Sequence, residues 1–128
     1  MAVSRTCLFI IAAALICFGC SLKAIGPQSE GEQKLSAGIK NYEEGNYKES
    51  SKYLHEALSK GLSDKEDQIK AHKHLAFIHC VSNKKKRCAY EFKKVLELNP
   101  DFNLEPAEAG HPSWGPVFRN TKAKMSRR

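Results

Sequence analysis

Apolar residues recur at helical spacing through the middle of the chain. Ala71, Leu75 and Ile78 form one stripe, and Cys88, Phe92 and Val95 form another. Between them lies the polar stretch Ser82-Asn83-Lys84-Lys85, where Asn83 can cap the second helix by accepting a backbone N–H bond. Pro100 ends that helix, because proline lacks the amide donor and its ring clashes with the preceding turn. The stretch from Ala71 to Pro100 therefore predicts an αα-hairpin, too small to bury its own apolar face.

A copy of the pattern lies upstream, in Ala37 to Tyr47 followed by Tyr53-Leu54 and Ala57-Leu58. Placing Gly45 on Asn83, an offset of 38 positions, puts Gly38 on Ala76, Ser50 on Cys88, Leu54 on Phe92 and Ala57 on Val95. Small residues recur where two helices must approach closely, and large apolar ones where they interlock. Ser29 with Glu32, and Ser63 with Glu66, have the spacing of capping boxes. The predicted helices are 30–44, 46–60, 64–82 and 84–98, an all-α chain.

Glu43-Glu44-Gly45-Asn46-Tyr47 with Ala57-Leu58 resembles the tetratricopeptide (TPR) repeat, a helix–turn–helix unit of about 34 residues. The join Lys60-Gly61-Leu62-Ser63 then carries an insertion of about four residues relative to that unit. Asn41 and Ser50 stand where the family usually has Tyr and Ala, and the first unit lacks the terminal proline. Two units fall below the minimum of about three for a self-sufficient stack. From Asp101 onward Pro106, Gly110, Pro112, Gly115 and Pro116 interrupt the apolar Phe102, Leu104, Trp114, Val117 and Phe118. This predicts an irregular segment that folds back as a cap, anchored by Trp114 and Phe118. The domain would span 30–118, with 119–128 a basic disordered tail.

Residues 1–20 differ from the rest. Arg5 is the only charge, and Cys7 to Phe18 is an unbroken apolar run. It is shorter than the roughly 20 residues of a membrane-spanning helix. A charged start, a short apolar core and small residues describe a secretory signal peptide, 1–19; a buried helix or a short membrane anchor is the alternative. Gly19-Cys20-Ser21 resembles the end of a bacterial lipobox, although Cys17 and Phe18 depart from it. The resemblance implies cleavage before Cys20 and its acylation with palmitate-type chains. At about 0.8 kcal/mol per buried CH₂, several acyl tails hold a soluble domain firmly. Ser21, rather than Asp, after the cysteine resembles the signal for the periplasmic face of the outer membrane, with inner-membrane retention the alternative. Residues 20–29, containing Gly26-Pro27, read as a tether.

The chain of 128 residues has room for one domain, and a net charge of +7 marks a basic surface. Of its five cysteines, removal of 1–19 and acylation of Cys20 leave Cys80 and Cys88 as an even pair. Across an αα-hairpin turn these can reach the roughly 4.4–6.8 Å Cα separation of a disulfide. In a cytosolic chain they would instead be two reduced, buried cysteines.

His72, His74 and His79 lie on one helix, but their spacing does not suit a closed zinc site, and no metal or cofactor is assigned. Lys84-Lys85-Lys86-Arg87, Lys93-Lys94 and the tail suit anionic lipid head groups or acidic protein surfaces, and in an exported chain not nucleic acid. The run sits unfavourably at the positive end of a helix dipole. No phosphate-cradling loop, glycine-flanked serine or carboxylate pair in an apolar frame occurs. Glu105, Glu108 and His111 lie on a Pro/Gly-rich segment that reads as packing. The chain is read as not an enzyme.

The TPR resemblance implies a concave groove lined by the first helix of each unit. Its positions here are Leu35, Ile39 and Tyr42, then Lys73 and Phe77, with Lys70 and Lys73 at the rim. Such a groove would accept an apolar helix or strand; the alternative places these residues in the core. A signal ending in Gly-Cys, two TPR-like units, a cysteine pair at the second turn and the tail from Pro106 to Phe118 together look like small bacterial TPR lipoproteins associated with type VI secretion. That group implies a tethered adaptor binding envelope proteins, in particular secretion components, with weak self-association compatible. A pilotin-like or assembly-factor lipoprotein, for pili or outer-membrane proteins, is the second reading. A non-exported interaction protein with reduced cysteines is the third.

Overall fold

The computed structural model describes residues 26–127, which are all helix, turn or loop, with no strand among them. The expected signal peptide, Cys20 and most of the expected tether lie outside the described residues. The helices are α1 (Glu30–Glu43), α2 (Tyr47–Lys60), α3 (Lys65–Val81), α4 (Lys85–Leu98), α5 (Pro106–Ala109) and α6 (Gly115–Met125). Among these helices none is long and apolar enough to cross a membrane.

Helix α1 starts at a capping box. The Ser29 hydroxyl accepts from the Glu32 amide at 3.2 Å, while the Ser29 amide donates to Glu32 Oε2 at 2.9 Å. The start of α3 differs from the expected Ser63–Glu66 box: Asp64 is the cap, its carboxylate accepting from the Glu66 amide at 2.8 Å. Asn83 also has a different role from the one expected. It does not cap α4; it adopts a left-handed φ of 59°, as Gly45 does at 79°. Asparagine is one of the few side chains that tolerate this region.

The two turns share one hydrogen-bond pattern. The Gly45 amide donates to the Tyr42 carbonyl and the Asn46 amide to Asn41; 38 positions on, Asn83 donates to Cys80 and Lys84 to His79. Both are Schellman closures of the preceding helix. Each joins an antiparallel pair, α1 with α2 and α3 with α4. The paired positions Gly38 and Ala76, Ser50 and Cys88, Leu54 and Phe92, and Ala57 and Val95 are all buried. At Gly38 an added Cβ would lie 2.8 Å from the Leu54 side chain, and the Ser50 hydroxyl donates to the Gly38 carbonyl at 2.7 Å. In the second hairpin a Cys80–Cys88 disulfide joins the helices beside the turn, with a Cα separation of 5.2 Å.

The core has two parts. Leu35, Leu54, Ala57, Leu75 and Ile78 fill the space between α1, α2 and α3. Phe77, Phe92, Leu96, Leu104, Trp114 and Phe118 fill the space between the second hairpin and the C-terminal segment. That segment is more regular than its prolines and glycines suggested. Pro106 and Pro116 stand in the first turns of α5 and α6, where a missing amide costs no helical bond. Helix α6 continues through Arg119 to Met125, so most of the expected disordered tail is helix. It packs on α4, with Phe118 edge-on to Phe92 at 5.2 Å. Lys122 fixes the loop before α5 by donating to the Phe102 carbonyl and Asn103 Oδ1 at 2.7 and 2.8 Å.

Candidate functional site on the α1 and α3 face

Helices α1 and α3 lie side by side, and the structure divides their common face into a filled half and an open half. Leu35 is buried within the first core cluster and lines no groove. Phe77 is also buried, only 3% exposed, because the indole of Trp114 stacks on it at 4.3 Å with 24° between planes. Both residues are core, because the C-terminal segment and the hairpins cover the apolar positions that a groove would have left open.

Lys73 does not form a free rim. Its ammonium donates to Glu108 Oε1 at 2.6 Å and lies 5.7 Å from the centre of the Phe77 ring. The other carboxylate oxygen of Glu108 accepts from the Glu105 amide at 3.0 Å, and the Glu108 carbonyl accepts from the Trp114 indole N–H at 2.8 Å. His111 stacks on the outer face of Trp114 at 3.4 Å. One short helix thus binds Lys73 and orients Trp114 together.

The open half holds Ile39 and Tyr42 on α1, both half-buried, and Lys70 on α3, exposed and bonded to Asp67 at 2.7 Å. His74 completes it, with its ring edge-on to Tyr42 at 5.0 Å and its Nδ1 2.7 Å from the Lys70 carbonyl. Burial holds His74 below the usual histidine range against the opposing pull of that carbonyl. Burial, aided by Tyr47 and Glu108, pushes the Tyr42 hydroxyl up to about 12. Both groups are therefore neutral near pH 7, so this face presents uncharged rings beside the Lys70–Asp67 ion pair.

The other two histidines of α3 point elsewhere. His72 Nδ1 lies 2.7 Å from Glu91 Oε2, linking α3 to α4 through a carboxylate that is itself buried. His79 is buried near the end of α3, and desolvation lowers its proton affinity despite nearby Glu91. Among the described residues no three His, Cys, Asp or Glu side chains are placed to hold a metal ion.

Glu91 had not stood out in the sequence, and Glu108 had stood out only as part of a segment read as packing. Glu108 carried one usable signal, as the third residue of a helix opened by Pro106. Glu91 carried none beyond a charge at an otherwise apolar helix position. No family model matches the chain, and searches of curated proteins and of solved structures likewise find no match.

Proposed function

We propose that this chain is a lipid-tethered adaptor of the bacterial envelope, with a stack of two TPR-like units that binds another envelope protein and catalyses no reaction. The reading assigns it to the accessory lipoproteins of type VI secretion, exported and held through Cys20 at the outer membrane. Two observations support the TPR-like description: the shared turn pattern at an offset of 38 and the matched small and large buried positions.

One observation carries the binding role. The α1 and α3 face is filled by Trp114 over one half only, leaving Ile39, Tyr42, His74 and Lys70 beside a ready aromatic edge. An apolar helix or strand laid there would continue the ring contacts that Trp114 begins.

A photoreactive residue at position 39, compared with one at the exposed Lys52 of α2, tests this in the native envelope. The expected result is a discrete cross-linked partner from position 39 alone, lost on Tyr42→Ala, together with a mature chain that begins at acylated Cys20. Equal labelling from both positions refutes the binding face, and an intact Met1 start refutes the tether.

A further inference from the structure

Among the described helices, α6 is not paired in a hairpin. Helices α1 and α2 pair, as do α3 and α4, whereas α6 lies along α4 alone. The two leave a hollow of about 250 Å³ between them, walled by Lys86, Ala89, Tyr90 and Lys93 of α4 and by Lys124 and Met125 of α6. A second hollow of about 200 Å³ shares Met125 and continues past Leu96. From Lys86 to Leu96 the cleft runs about 15 Å, the length of a ten-residue helix.

The cleft has an apolar floor and cationic rims. Tyr90 is 54% exposed, the most open of the large apolar side chains among the described residues. Lys86 and Lys124 form no ion pair among the described residues. Glu97 engages Lys93 at 3.4 Å and Lys94 at 3.1 Å, about two turns beyond Tyr90 and at the surface. Glu91 faces away, towards His72. Lys84, Lys85 and Arg87, all exposed, extend the positive field from the start of α4.

We propose that this cleft receives an acidic amphipathic helix of a partner protein, laid along α4 and α6 as the second helix of a third hairpin. Its apolar side would meet Ala89, Tyr90 and Met125, and its carboxylates would meet Lys86, Lys93 and Lys124. A concave floor of this length suits a helix, whereas a flat lipid surface would touch only the rims. This goes beyond the adaptor reading, which concerns the α1 and α3 face.

The test titrates the full chain, held in non-ionic detergent, against a fluorescent amphipathic peptide with leucines on one face and glutamates on the other. Its mirror with lysines in place of glutamates, and vesicles of phosphatidylglycerol, serve as rival probes. The acidic peptide should bind saturably and weaken steeply at about 0.5 M salt, where screening shortens the reach of charge to a few ångströms. Lys86→Glu with Lys93→Glu and Lys124→Glu should weaken the acidic peptide at least tenfold and confer binding of the lysine peptide, and Tyr90→Ala should weaken it severalfold. Equal binding of the two peptides, indifference to the triple reversal, or binding to the vesicles alone would overturn the proposal.

Discussion

Truncating Trp114 to alanine tests whether the C-terminal segment is part of the fold or merely rests on it. The indole is 8% exposed, lies flat between Phe77 and His111, and donates to the Glu108 carbonyl at 2.8 Å. Loss of a buried tryptophan side chain costs about 3–5 kcal/mol where the site cannot collapse. Part of that is the aromatic contact, about 0.5–1.5 kcal/mol, and part the hydrogen bond, of similar size. We take about 4 kcal/mol, against a total of about 5–15 kcal/mol for a domain of this class. With a urea slope of about 2 kcal/mol/M for a small domain, the midpoint should fall by about 2 M, followed by far-ultraviolet circular dichroism. Trp114→Phe keeps a ring on Phe77 but removes the donor, and should cost about 1–2 kcal/mol. Trp114 is the single tryptophan, so wild-type fluorescence reports the segment directly. An alanine variant whose midpoint stays within error of wild type would refute the reasoning, as would fluorescence of a solvent-exposed indole in the native chain.

Three further outcomes are expected. Gly38→Ala would drive a methyl into the Leu54 side chain at 2.8 Å, so thermal unfolding should show a loss of about 1–3 kcal/mol, while Gly26→Ala, with open space around it, should show none. Reducing the Cys80–Cys88 bridge, which spans a sequence separation of 8, should lower stability by about 2.5 kcal/mol, read as a drop in urea midpoint with dithiothreitol. His74 and His79 are both held below their ordinary value by burial, so the unfolded chain binds protons that the folded sites refuse. Stability should therefore be fully present above about pH 6.5 and decline as pH falls through the lower folded values. The double variant His74→Gln with His79→Gln should flatten that decline, and an undiminished slope would show that other groups cause it.

The central helices were legible because each rests on local rules. The apolar stripes of 71–78 and 88–95, the Ser29 cap and the stop at Pro100 need no knowledge of distant residues, and all four long helices fall where those signals lie. The C-terminal helices were missed because Pro106 and Pro116 were weighed as breakers, although both stand where a helix admits proline. Phe118, Thr121 and Met125, at positions i, i+3 and i+7, were a helical signal of the same kind as those upstream. The site was less legible than the fold. Lys73 and Glu108 are 35 positions apart and His72 and Glu91 19 apart, and no periodicity brings such pairs together. Phe77 had the spacing of a groove residue and the size of a core one; the position of Trp114, set by tertiary packing, decided between them.

The two ends of the helical array close differently. At the α1 and α2 end, Lys34 pairs with Glu56 at 2.7 Å and Lys60 with Glu30 at 2.9 Å, while Lys34 also lies over the Tyr53 ring at 5.2 Å. Surface pairs of this kind contribute little stability, typically about 0–1 kcal/mol, but they cross between the two helices and match cation with acid there. At the α4 and α6 end the first turn of α4 carries no acid, whereas those of α1, α2 and α3 each carry at least one. Four consecutive cations there face the positive pole of their own helix. Folding alone gains nothing from that arrangement, since any acidic or neutral residue would cost the helix less. An acidic partner laid along α4 would relieve both the like-charge crowding and the dipole, so the end that is least favourable in the isolated chain is the one where association gains most.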